Sequence, residues 1–189
     1  MRKPVESGPP PTEATLREAA LAHLSRYAAT RAALTRVLDR KCERWARAAD
    51  PEQADATRRG LRQTVRDVVS RLAAIGAVDD AAFAASRARS LGRTGRSRRA
   101  IAAHLAARGV TGDDARAALP DDPEAELAAA LLLARRRRLG PFRDPGAATD
   151  SKRELGVLAR AGFPQDIAAR ALRTDPDTAE GLIARLRRP

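Results

Sequence analysis

The stretch "IAAHLAARGVTGDDARAAL", residues 101–119, is answered 53 residues later by "ELGVLARAGFPQDIAARAL", residues 154–172. Superposing the two sets Gly162 on Gly109, Leu158 on Leu105, Phe163 on Val110 and Leu172 on Leu119. Each copy reads as a helix, a glycine turn and a second helix ending in Ala-Leu. Ile101 and Leu105 sit at helical spacing, and a glycine just after the last periodic residue is the usual left-handed stop. Thr111 then stands where it caps the following helix, with Asp114 three residues on. Adding the helix before each pair, over residues 80–91 and 123–138, makes a unit of three helices. The register extends towards the N-terminus, where Leu34 and Leu38 match Ile101 and Leu105, although Cys42 stands where the glycine falls. Three tandem units of about 50 residues, each burying its apolar face on the next, form an extended row. The expected fold is all-α, an elongated array of three tandem three-helix repeats.

Composition agrees with that pattern. The chain has 189 residues, 43% of them hydrophobic but only 3% aromatic, and it is rich in alanine and poor in β-branched residues, which favours helices over sheets. Leu16, Ala20, Leu24 and Tyr27 mark a first helix, Leu34, Val37, Leu38 and Trp45 a second, and Leu61, Val65, Val68, Leu72 and Ile75 a third. Between the second and third, "ARAADPEQADATRRG", residues 46–60, is expected as a longer connection or an extended helix end. Asp79 is placed to cap the next helix, with Val78 and Phe83 as the pair that packs across its start. Asp122 precedes Pro123, a usual first helical residue, and Gly140-Pro141 stops the helix that carries Leu127, Leu131 and Ala134. The expected boundaries are a disordered tail over residues 1–13, repeats over 14–76, 77–120 and 121–175, and a short C-terminal helix and tail over 176–189. Pro4, Pro9, Pro10 and Pro11 argue for the tail.

Several function classes lack their residues. One cysteine, Cys42, and two histidines, His23 and His104, assemble neither a disulfide nor a Cys/His zinc site within one chain. Asp79 and Asp80 have no third ligand beside them, no Gly-x-x-x-x-Gly-Lys phosphate loop is present, and no nucleophile neighbours a histidine. The reading is a protein without catalytic residues, metal or cofactor. No apolar run approaches the roughly 20 residues that span a bilayer, so no membrane association is expected, and the N-terminus lacks the apolar segment of a signal peptide. A cytoplasmic monomer is expected.

The charge points to a partner. The formal net charge is +12, and lysine occurs only at Lys3, Lys41 and Lys152, so the excess is arginine. A surplus of this size attracts nucleic acid, nucleoprotein or an acidic protein face. The candidate binding residues are Arg87, Arg89, Arg93, Arg96, Arg98 and Arg99, with no acid among them, and the block Arg135, Arg136, Arg137 and Arg138. Arg185, Arg187 and Arg188 make a third group. Cations in the last turn of a helix oppose its dipole, which accounts for part of the 135–138 block but not for the 87–99 run. A helix-turn-helix over residues 101–119 is disfavoured, because Asp113 and Asp114 would open the recognition helix towards phosphates. Direct binding to DNA without sequence preference is the alternative function, although the aromatic residues for base stacking are few.

The segment "LAAIGAVDDAAFAASRARSLGRTGRSRRAIAAHLAARGV", residues 72–110, resembles the RecX family of RecA modulators, reinforced by "RRRRLGPF" and "KRELGVLARAGF". The likeness spans about residues 14 to 175. It departs from the family pattern at Ala77, where an aromatic residue is common, and in the first unit, which lacks its glycine. The resemblance implies a curved, right-handed array of three-helix repeats that lodges in the groove of the RecA filament on single-stranded DNA. It further implies inhibition of recombinase, ATPase and coprotease activities, hence modulation of DNA repair, and it carries no catalytic residues over to this chain.

Overall fold

The computed structural model describes residues 8–144, 146 and 150–188, so residues 1–7 of the expected tail lie outside the described residues. Among these there are ten α-helices, one short 3-10 turn and no strand. In order they are α1 Glu13–Leu24, α2 Arg31–Ala48, α3 Pro51–Ala74, α4 Asp80–Arg93, α5 Arg98–Ala107, α6 Gly112–Ala117, α7 Pro123–Arg137, α8 Ser151–Arg160, α9 Gln165–Arg173 and α10 Pro176–Arg187. The 3-10 turn, Gly140–Phe142, follows α7. By contact the chain divides into two compact units, Met1–Phe83 with Arg108–Val110, and Ala84–Ala107 with Thr111–Pro189.

Starts are written in short polar side chains. Asp50 accepts hydrogen bonds from the N–H groups of Glu52 and Gln53, with Pro51 as the first helical residue of α3. Asp122 repeats the arrangement before Pro123, and Asp175, before Pro176, accepts from the Thr178 N–H. Each such cap contributes ~1 kcal/mol by occupying a donor that the helix leaves open. Asp79 caps as expected, accepting from Ala82 N–H at 2.8 Å.

Of the two readings of residues 46–60, the extended helix end holds: only Ala49 and Asp50 separate α2 from α3, which runs on from Pro51 through Leu61. Three expectations are corrected. The tail is shorter than expected at its inner end. Thr12 and Thr15 form a reciprocal cap, Glu13 already opens α1, and the Trp45 indole N–H donates to the Gly8 carbonyl at 2.8 Å. Thr111 occupies the cap position of α6 but makes no side-chain cap bond. Tyr27 and Ile75 leave the apolar faces assigned to them, being 61% and 75% exposed, because α1 ends at Leu24 and α3 at Ala74.

In the first unit Leu16 and Ala20 of α1, Leu34, Leu38 and Cys42 of α2, and Leu61, Val65, Val68 and Leu72 of α3 close on one core. Burial pushes the Cys42 thiol up from its ordinary value, with Asp39 and Glu43 adding to the shift, so Cys42 behaves as a small core residue. In the second unit α7 is buried almost all round: Leu127 to Leu132 contact α9 and α10 through Ile167, Ala171, Leu182 and Ile183. That encirclement explains why α7 carries consecutive leucines and alanines instead of a stripe.

Candidate partner-binding groove

Arg96, Arg98 and Arg99 flank a joint that the chain builds twice. In the first unit the Thr30 hydroxyl, at the start of α2, donates to the Arg108 carbonyl at 2.6 Å and accepts from Ala33 N–H at 3.0 Å. The Arg31 N–H donates to an Asp80 carboxylate oxygen at 2.8 Å. In the second unit Ser97, at the start of α5, donates to the Ala161 carbonyl at 2.7 Å and accepts from Ala100 N–H at 3.2 Å. The Arg98 N–H donates to Glu126 at 2.9 Å. Each accepting carbonyl belongs to the residue just before a glycine of positive φ, Gly109 at 86° or Gly162 at 94°. A hydroxyl and a carboxylate thus satisfy donors that the helix start leaves open, without solvent. Thr30 and Ser97 are both fully buried, as such a shared hydrogen-bonding role requires.

Glu126 is the electrostatically loaded member of this joint. Burial pushes its carboxyl up from the ordinary value, while the N–H and the guanidinium of Arg98 pull it down, and burial is the larger influence. A raised carboxyl stabilises the fold fully below its unfolded value, about 4.3, and that stabilisation is lost as pH rises through the folded value. Glu126→Gln keeps an acceptor for Arg98 N–H and removes the titration. The melting temperature of the native protein relative to this variant is therefore expected to fall as pH rises above about 4; a constant or rising difference would contradict the assignment.

The structure divides the sequence-predicted arginines by what holds them. Arg98 is committed to the fold: besides its N–H, its side chain donates to the Leu119 carbonyl at 3.0 Å and pairs with Asp121 at 3.3 Å. Arg87 donates to the Nε2 of His104 at 3.3 Å. In the arginine block, Arg135 pairs with Glu180 of α10 at 2.7 Å, Arg136 donates to the Thr94 carbonyl, and Arg138 pairs with Asp144 at 3.2 Å. Arg138 also carries the left-handed conformation, φ 53°, that ends α7. Arg137 is exposed and unpaired among the described residues.

Arg89, Arg93 and Arg96 are brought together at one place. They rim a groove of about 330 Å³ whose floor includes Ala88, Ile101, Leu119, Ala129 and Leu186. Arg188, just past the end of α10, joins the rim. All four are exposed, and none of their guanidinium groups is held by a hydrogen bond or ion pair among the described residues. Arg99 lines a neighbouring cavity of about 600 Å³ with Arg116 and the acids Asp121, Asp122 and Asp166, where charge is mixed.

Two features were missed in the sequence. The first is a pair between a half-buried arginine and a buried glutamate. The Arg143 guanidinium meets Glu154 through Nε and Nη2 at 2.7 to 2.9 Å, fixing the 3-10 turn to α8. The second is the repeated joint, for which a signal existed: Ser97 follows Thr30 by 67 residues, the spacing that aligns Leu34 and Leu38 with Ile101 and Leu105. α6, at six residues, is too short for a groove-reading recognition helix.

Helices in a repeating register, joined by a repeated hydrogen-bonded socket, define a helical repeat protein. The RecX second three-helix domain matches residues 79–119. The regulatory protein RecX of Myxococcus xanthus (strain DK1622) is 38% identical over 165 residues, 85% of this chain and 86% of its own length. That of Thermobifida fusca (strain YX) is 39% identical over 123 residues, 64% of this chain and 65% of its own. The chain belongs to the RecX family of regulatory proteins. A crystal structure of a regulatory protein RecX has the same fold, with a TM-score of 0.64 at 22% identity over 84% of this chain and 70% of the other. Among the described residues no helix is long and apolar enough to cross a membrane.

Proposed function

We propose that this protein is a cytoplasmic, non-catalytic regulator that binds the RecA recombinase filament on single-stranded DNA and inhibits its recombinase, ATPase and coprotease activities. Family membership supplies the class of partner. The observation that carries the reading is the cluster of Arg89, Arg93, Arg96 and Arg188 around an apolar groove, exposed and unpaired among the described residues. Guanidinium groups left free in this way repel one another without stabilising the fold, a repulsion that a partner's carboxylates or phosphates would offset. The repeated joint supports the same reading, because it holds α5 by its first turn and so fixes where Arg96 and Arg99 stand. Arg135, Arg136 and Arg138 contribute to the basic surface while also bracing α7, and Arg137 contributes without that second role. The reading is tested by the single-stranded-DNA-dependent ATPase of the cognate recombinase, which it expects to fall with far fewer regulator molecules than recombinase protomers.

A further inference from the structure

The groove holds more than charge, and its two components together select a partner. Its rim is cationic at Arg89, Arg93, Arg96 and Arg188. The acids that also line it are already engaged: Asp122 caps α7, and Glu126 accepts the Arg98 N–H. Its floor is aliphatic, and none of the side chains lining it is an aromatic ring. A single nucleic-acid strand would satisfy the rim through its phosphates, but its bases would find no ring to stack on, and stacking supplies much of the affinity of strand-binding sites. Leu186 stands half-buried at the groove. A peptide with carboxylates flanking one apolar side chain satisfies both parts, with bidentate guanidinium–carboxylate pairs at the rim and apolar burial at the floor.

We propose that the groove rimmed by Arg89, Arg93, Arg96 and Arg188 is the docking site for an acidic segment of the partner protein that inserts one apolar side chain against Leu186. This rests on the reading of the partner as the recombinase filament, and it assigns the groove to the protein and not to the DNA. The site is small, holding a single anchor, and the arginine rim makes binding steeply dependent on salt.

The test places a photoreactive benzoylphenylalanine at position 186 in the full chain and irradiates it with the cognate filament assembled on poly(dT). The expected product joins position 186 to a recombinase segment that has several Asp or Glu residues around an apolar one. Arg89→Glu, Arg93→Glu and Arg96→Glu together are expected to weaken filament binding at least about tenfold. Leu186→Ser, which changes no charge, is expected to weaken it several-fold, and it decides the matter if the triple variant loses helix content. A crosslink to poly(dT), a crosslink to a segment without acids, or unchanged affinity in both variants would overturn the assignment while native inhibition leaves the filament reading standing. Absence of any inhibition by the native protein would remove that reading itself, and the groove assignment with it.

Discussion

Gly109→Ala is expected to destabilise the protein by about 2–5 kcal/mol, although the change adds only a methyl group. Two costs combine. At φ 86° an L-residue is in the left-handed region, which costs about 1–2 kcal/mol. The added Cβ would also collide with the Cβ of Ala32, an overlap that must be relieved by moving backbone, at about 1–3 kcal/mol. The backbone at risk carries the Thr30 to Arg108 hydrogen bond, so the change acts on the joint itself. Gly112→Ala separates the two costs, because Gly112 has φ 65° but nothing within 4 Å of a new Cβ; it is expected to show the conformational cost alone. At the second joint the Cβ of Gly162→Ala would lie 2.7 Å from the Ser97 hydroxyl, and a loss comparable to Gly109→Ala is expected. Denaturant unfolding measures all three, and a Gly109→Ala variant no less stable than Gly112→Ala would show that close packing at the joint has no role.

The second large effect is expected at the pair missed in the sequence. Glu154 is buried, its side chain 9% exposed, while that of Arg143 is 24% exposed. Removing the arginine leaves a buried carboxylate with the Gly140 N–H at 3.4 Å, a long contact for a charge. Breaking such a pair from one side costs about 3–5 kcal/mol, whereas replacing both partners with apolar groups is often neutral. Arg143→Ala is therefore expected to lose about 3–5 kcal/mol, and Arg143→Met with Glu154→Leu to recover most of it. The recovery is the informative part, since independent sites would give additive losses. A double variant as unstable as the sum of its single changes would contradict the account of the pair.

What could be read in the sequence was what repeats or punctuates locally. Gly109 and Gly162, Leu105 and Leu158, and Val110 and Phe163 superpose by register alone, and the structure gives the matched glycines the same left-handed φ and the matched apolar residues burial. Asp79 and Asp122 cap as their neighbours imply. Thr111 misled because a cap residue and its spacing license the bond without forcing it. Over residues 46–60 the sequence left a connection and an extended helix end open, and Asp50-Pro51, the same pair as Asp122-Pro123, is what opens α3 there.

The site was legible as composition and not as geometry. All the arginines of the 87–99 run were candidates, but Arg98 is bound to Leu119 and Asp121, residues whose nearness depends on how α6 returns. The groove also needs Leu186 and Arg188, about 90 residues beyond Arg96 along the chain. No periodicity reports a meeting of that kind. The same holds for the arginine block, in which Arg135, Arg136 and Arg138 find partners on three different segments and only the chain path brings them together.

The central claim is tested most directly by titrating this protein into the cognate RecA on single-stranded DNA and following ATP hydrolysis, well below one regulator per recombinase protomer. Groove binding to the filament predicts progressive inhibition at that low ratio, with the DNA still largely free of regulator. If hydrolysis falls only when the protein is abundant enough to coat the DNA, the strand is the target, and regulation through the filament is contradicted.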